Sequence, residues 1–129
     1  MRITTGIDLV EISRIRNSLR NPRFLTRVFS SDEQEFLLAK KDMAASAAAN
    51  FAAKEAFSKA LGTGVRRFEL AEVSVLRDHL GAPYLKLEGK AKEIAQKQNL
   101  CFSVSLTHTK EYASAVVVAY SHESPEKEV

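Results

Sequence analysis

The chain has 129 residues, enough for one domain with a real core and little room for a second. Its 45% hydrophobic content excludes disorder over most of the length, and no apolar run approaches a membrane span. Formal charge is +3, but Arg14, Arg16, Arg20, Arg23 and Arg27 face a single acid, Glu11, across residues 11–30, while the tail from Glu123 is acidic. Such a basic face suits an acidic partner, a phosphate-rich ligand or nucleic acid, or is a solvated helix face. The one cysteine, Cys101, cannot form an internal disulfide, which fits a reducing cytoplasm, and no basic-then-apolar leader precedes the first predicted strand.

Residues Arg2 to Val10 place Ile3, Ile7, Leu9 and Val10 in a loosely alternating pattern that reads as a buried strand. Asp8 interrupts it. An acid there needs a cation or hydrogen-bond donors, or else it stands at the strand end and caps the next helix. Ile12, Ile15 and Leu19 repeat at helical spacing and predict a helix over 11–19, ended at Asn21-Pro22. Pro22 then opens a short helix carrying Phe24, Leu25, Val28 and Phe29. Ser30-Ser31-Asp32-Glu33 opens another, with serine at the cap and acids in the first turn, and Lys40-Lys41 finishes it.

The central stretch is Phe51-Ala52-Ala53-Lys54-Glu55-Ala56-Phe57-Ser58-Lys59. Alanines before it favour helix, and Gly62 after it is a C-cap, so one helix is predicted from about Ala44 to Leu61. Glu55 and Lys59 are four apart and share a face, with Ala48, Ala52 and Ser58 on or beside it and Phe51, Phe57 and Leu61 at its flanks. Such an acid can reach a metal and such a base the anion that the metal holds; alternatively the two form a surface ion pair.

Leu61-Gly62-Thr63-Gly64 lacks the lysine-serine pair and spacing of a phosphate-binding P-loop, although backbone there can approach an anion closely. Val65 to Glu69 reads as loop, Glu72 to Arg77 as a strand, and residues 78–83 as a hairpin connection to a returning strand, Tyr84 to Leu87. Gly89 to Gln98 is a polar helix with Ala91, Ile94 and Ala95 inward. Leu100 to Leu106 and Tyr112 to Tyr120 are strands, with residues 107–111 as their turn. The last strand is nearly continuous in alanine and valine, which predicts a central strand covered on both faces. A polar tail follows over 121–129, leaving 1–120 as the domain. His108 falls in the predicted turn without a second histidine at ligand spacing, which argues against zinc. Cys101 reads as a buried, inert thiol.

Gly6-Ile7-Asp8 at the end of a first strand, followed by the Lys54-Glu55-x-x-x-Lys59 stretch, resembles the 4'-phosphopantetheinyl transferase superfamily. The short length and Ser105-Leu106-Thr107-His108-Thr109-Lys110-Glu111-Tyr112 resemble its acyl carrier protein synthase branch. The resemblance runs from residue 1 to about 120 and implies an α+β fold, with an antiparallel sheet packed on a long central helix. It implies transfer of the phosphopantetheine arm of coenzyme A to a serine of apo acyl carrier protein, releasing adenosine 3',5'-bisphosphate. By the same resemblance Asp8 and Glu55 bind Mg²⁺, Lys59 reaches the phosphates, and Arg14, Gly62, Gly64, His108 and Thr109 join the coenzyme A site. Either Glu55 or a metal-bound water accepts the serine proton.

Family members of this size are homotrimers with sites across subunit interfaces. Arg20, Arg23 and Arg27 then have an acidic carrier protein as partner, and neither membrane nor nucleic acid is expected. One departure is Asn50, where many relatives carry a basic residue; the phosphate contact expected there falls to Arg66, Arg67 or a second subunit. Two other readings compete: a small basic nucleic-acid-binding domain, and a transferase fold that has lost activity and serves as a carrier-binding module.

Overall fold

The computed structural model describes residues 1–62 and 66–121. Strand β1 (Arg2–Glu11) leads without a break into α1 (Ile12–Ser18). Helix α2 (Pro22–Val28) starts on its proline, with Asn21 Oδ1 accepting from the Arg23 amide. Helix α3 (Ser31–Leu38) opens with a full capping box between Ser30 and Glu33. Helix α4 (Met43–Ala60) is the long one, capped by Asp42 and ended by Gly62 at φ 74°. A 3₁₀ turn (Leu70–Glu72) precedes β2 (Val73–Arg77), so this strand starts one residue later than its sequence pattern indicates. Strand β3 (Pro83–Leu87), α5 (Gly89–Lys97), β4 (Cys101–His108) and β5 (Tyr112–Ser121) complete the chain. Ser121 belongs to β5 rather than to a tail, and residues 122–129 lie outside the described residues.

The strands form two antiparallel sheets, β1-β5-β4 and β2-β3. In the larger one Asp8 pairs with Ala115 and Val104 with Val117, so Thr4, Gly6, Asp8 and Val10 share the inner face with β5's alternate residues. Helix α4 covers that face. Alanines do most of the packing: Ala52, Ala53 and Ala56 on the helix and Ala113 and Ala119 on the sheet are all 0% exposed. Small side chains on both sides let helix and sheet backbones come close. Gly6 marks the limit, because a Cβ there would lie 1.9 Å from the Ala56 carbonyl oxygen. Thr4 Oγ1 also donates to the Ala60 carbonyl at 2.6 Å.

The other face differs from expectation. Strand β5 is central, but among the described residues only its α4 side is covered. On the outer side Val116 and Val118 are half-buried, and neighbouring Ile3, Ile7 and Leu9 of β1 are 58–65% exposed. The even apolar run hid the asymmetry, because alternation cannot be read where every residue is small and apolar. Cys101 is likewise exposed, not buried: it opens β4 opposite Tyr120, on the outer face.

A charged cluster sits inside the core where α3, α4 and β2 meet. Lys54 is 0% exposed and donates from Nζ to Glu33 Oε1 (2.6 Å), the Val73 carbonyl (2.6 Å) and the Leu70 carbonyl (2.9 Å). Three acceptors match its three N–H bonds. Burial pushes the Lys54 ammonium below its ordinary pKa, and the Glu33 charge opposes that shift. Asn50, also fully buried, donates to Glu33 Oε2 (3.1 Å) and the Val75 carbonyl (3.0 Å), and accepts from Arg77 (3.0 Å). Replacing Lys54 by Met should therefore strand the Glu33 carboxylate and cost about 3–5 kcal/mol of stability. A Glu33→Leu/Lys54→Met double variant should regain part of that loss in chemical denaturation, because no charge is then stranded although the Leu70 and Val73 carbonyls and the Asn50 and Ser30 N–H groups lose a partner. A single variant as stable as the parent would contradict the ion-pair account.

Candidate active site

Lys59 is where the two distant motifs meet. Its ammonium donates to the Ile7 carbonyl at 2.9 Å and to Asp8 Oδ1 at 3.2 Å. The Gly6–Ala56 contact explains the meeting: it lays β1 across α4 so that Asp8, two residues on, falls beside the last turn of the helix. Of the alternatives for Asp8, the paired one is observed. The residue before α1 is Glu11, and no side chain caps that helix.

Glu55 lies one turn before Lys59, yet no ion pair joins them among the described residues. Glu55 Oε1 instead accepts from Arg66 Nη2 at 2.6 Å. Each of the site's carboxylates is thus held by a separate cation, Asp8 by Lys59 and Glu55 by Arg66. The surface-pair reading of Glu55 and Lys59 is replaced by this crossed arrangement.

The donors fit a hard divalent cation, since carboxylate oxygens suit Mg²⁺ and that ion ordinarily keeps several other oxygen ligands. Among the described residues no group of three or more His, Cys, Asp or Glu side chains is gathered for a metal. A cation held by Asp8 and Glu55 alone would take most of its other ligands from water and an oxygen-rich ligand.

A cavity of about 330 Å³ opens against the N-terminal half of α4, lined among others by Phe36, Lys40, Ser46, Arg77, Ser105 and His108. The Lys40 ammonium and the Arg77 guanidinium each lie 4.7 Å from the Phe36 ring centroid. Burial pushes the Arg77 guanidinium down, with Glu33 opposing. A concave wall with these cations and a histidine is suited to an anion. His108 is not in the turn, as its sequence position indicated. It is the last residue of β4, opposite Ala113, because the strand runs two residues further than its apolar pattern. It also lines a second cavity with Ile12, Asp42, Thr109 and Lys110. Thr109 Oγ1 accepts from the Tyr112 amide at 3.1 Å and thereby holds the β4–β5 turn.

Comparison with known proteins decides the family. The family model of the 4'-phosphopantetheinyl transferase superfamily matches residues 4–117. The chain belongs to that superfamily. This transferase is 45% identical over 120 residues to the holo-[acyl-carrier-protein] synthase of Treponema denticola, covering 92% of this chain and 98% of that one. The Chronobacterium ammoniagenes ACPS–CoA complex superposes with a TM-score of 0.84 at 27% identity, covering 95% of this chain and all of the other. The Helicobacter pylori holo-[acyl-carrier-protein] synthase in complex with coenzyme A has a TM-score of 0.78 at 32% identity, over 90% and 99% of the two chains.

Several residues around the candidate site take places that sequence reasoning missed. Lys54 stands on the helix stripe of Ala47, Asn50 and Phe57, all 0% exposed, so the apolar stripe itself was the signal that this lysine points inward. Asn50 is buried in the core rather than turned to a ligand. Arg77, 27 residues on at the end of β2, is the cation that comes to it, whereas Arg66 is engaged by Glu55. No sequence signal marked Arg77. Arg14 reaches back over the Phe51 ring, with 6.0 Å from its guanidinium carbon to the centroid, one turn before Glu55 on α4. Arg16 pairs with Asp42 at 3.6 Å. Arg20, Arg23 and Arg27 are exposed and form no ion pair among the described residues. Gly62 serves as the helix cap, and Gly64 lies outside the described residues.

Proposed function

We propose that this transferase moves the 4'-phosphopantetheine group of coenzyme A onto a serine hydroxyl of an acyl carrier protein, with Mg²⁺, releasing adenosine 3',5'-bisphosphate. The observation that carries the reading is the convergence of Asp8 and Lys59 from elements fifty residues apart, with Glu55 one turn away. Asp8 and Glu55 would hold the cation, which when bound neutralises the diphosphate as the serine oxygen attacks. Lys59 then turns its ammonium from Asp8 to the phosphoryl oxygens, where negative charge grows. Lys40, Arg77 and His108 form the wall that takes the nucleotide's own phosphate in this reading, so Arg77 takes the contact that the sequence left to Arg66, Arg67 or a second subunit. The serine proton passes to Glu55 or to a water, and little further chemistry is required of the protein, because phosphoryl transfer rests mainly on positioning and electrostatics.

The carrier protein is acidic in this reading, and Arg20, Arg23 and Arg27 are its docking cations, with Arg14 nearer the coenzyme. No helix among the described residues is long and apolar enough to cross a membrane, and we place the reaction in the cytoplasm. The family assignment and the intact set of Asp8, Glu55 and Lys59 favour a working enzyme over a nucleic-acid-binding domain or an inactive binding module.

The outer face of the larger sheet supports self-association. Ile3, Ile7 and Leu9 beside Val116 and Val118 form an apolar strip with no covering element among the described residues. A second copy of the chain covers it, and the family resemblance makes the number three.

Incubation with coenzyme A, Mg²⁺ and apo acyl carrier protein should add one phosphopantetheine arm to the carrier, read by mass; no gain sinks the reading. Asp8→Ala and Glu55→Ala should each abolish transfer with the fold intact, and the double variant should cost little more, since residues acting as a unit are non-additive. Near-full rate in either at saturating Mg²⁺ would remove the carboxylate pair from the mechanism. Charge reversal at Arg20, Arg23 and Arg27 should lower transfer efficiency for the carrier by about 0.2–1 kcal/mol per site, with the loss shrinking as salt rises. Coenzyme A affinity should hold in those variants and weaken in Arg14→Ala; equal loss in all of them on titration calorimetry would end this division of roles. Ile7→Glu with Leu9→Glu should dissociate the assembly in sedimentation, whereas a monomeric, active parent would refute it.

A further inference from the structure

The Glu55–Arg66 pair has no part in the transfer chemistry described above, yet it occupies one of the carboxylates on which that chemistry depends. Arg66 is not a buried structural arginine. Its side chain is 37% exposed, it stands beyond the end of α4, and its contact with Glu55 Oε1 is 2.6 Å long. Arg66, Arg67 and Lys90 also line a cavity of about 340 Å³ together with Glu69 and Glu72. With Lys59 on Asp8, the site holds balanced charge: a carboxylate and a cation on β1 and α4, and a second carboxylate and cation on α4 and the segment after it. A divalent cation arriving alone must take Glu55 from Arg66 and Asp8 from Lys59, and it leaves those cations without an anion beside a new positive charge. A cation arriving with a diphosphate meets no such obstacle, because the displaced guanidinium and ammonium gain phosphate oxygens as partners.

We propose that Arg66 is a coupling residue: it holds Glu55 in the empty site and passes to the anionic coenzyme once a divalent cation takes that carboxylate, so that cation and coenzyme bind strongly only together. This rests on the reading of Asp8 and Glu55 as cation ligands. By linkage the factor by which coenzyme A tightens the cation equals the factor by which the cation tightens coenzyme A. Arg66 contributes to that factor twice, by opposing the cation when alone and by binding the anion when both are present.

The test is a binding cycle on the full-length protein with Mn²⁺ as a spectroscopic stand-in for Mg²⁺, followed by electron paramagnetic resonance of free Mn²⁺, with and without coenzyme A. Arg66→Gln should bind Mn²⁺ alone about two- to fivefold more tightly than the parent, the range of one partly exposed ion pair. It should bind coenzyme A without metal about as the parent does, and show a reduced coupling factor. Arg66→Lys, which keeps the charge, should restore part of the coupling. Thermal denaturation of both variants near the parent's midpoint verifies that the fold is intact, and the rise in Mn²⁺ affinity is an effect that lost structure would not produce. Unchanged or weaker Mn²⁺ binding in Arg66→Gln overturns the inference. Glu55→Gln separates the cases: if it abolishes Mn²⁺ binding while Arg66→Gln changes nothing, only the role of Arg66 fails. If the parent binds no Mn²⁺ even with coenzyme A, the cation site and the coupling fall together.

Discussion

Everything at this site depends on where the ammonium of Lys54 is held. A fully buried charge is tolerated only with a partner and a complete set of hydrogen bonds, and Glu33 with the Leu70 and Val73 carbonyls is that set. The arrangement has a steep geometric demand, so it fixes both the rotation of α4 about its axis and its height against α3 and β2. Glu55 is the next residue along and lies about 100° around the helix. Once Lys54 is locked inward, Glu55 emerges at the edge of the helix, and Lys59, a further turn on, emerges toward β1. Glu33 also closes the capping box of α3 with Ser30, so the start of one helix and the orientation of another share a carboxylate.

The second constraint is distance. Alanines along α4 and Gly6 on β1 remove the side chains that ordinarily hold a helix away from a sheet. Close backbone approach then lets the short side chain of Asp8 meet the long one of Lys59. Larger residues would bury more apolar area at this contact, but they would carry the strand's acid away from the helix. Here the core gives up packing volume to bring chemistry-bearing groups from opposite ends of the first half of the chain into one place.

The larger sheet divides the molecule's tasks between its faces. Its inner face carries the α4 contact, Asp8 and His108; its outer face is an apolar strip with Ile7 and Leu9 alternating against the inward residues. Alternation along β1 ties the two together, since Ile7 and Asp8 are neighbours in sequence and point to opposite faces. The proposed assembly through the outer face and the candidate site on the inner one would therefore share a single strand, and a shift of register in β1 would disturb both.

Most elements were legible in the sequence because their signals are local: Asn21-Pro22, the Ser30 cap, the alanine run into α4, and the Gly62 stop each act within one turn of chain. Asp8, Glu55 and Lys59 stood out as candidates as well, since an acid in an apolar strand and a charged motif on an alanine helix are anomalies that the sequence exposes. What tertiary structure alone decided was pairing. Which cation each acid meets, Lys59 for Asp8 and Arg66 for Glu55, depends on how a strand lies across a helix fifty residues later. Arg77 reaches Asn50 and the Phe36 ring only because β2 packs on α3 and α4, a contact with no local signature. The outer face of β5 was misread for the same reason: burial is a property of neighbours, and a run of valine and alanine reads alike whether it has them on one side or on both.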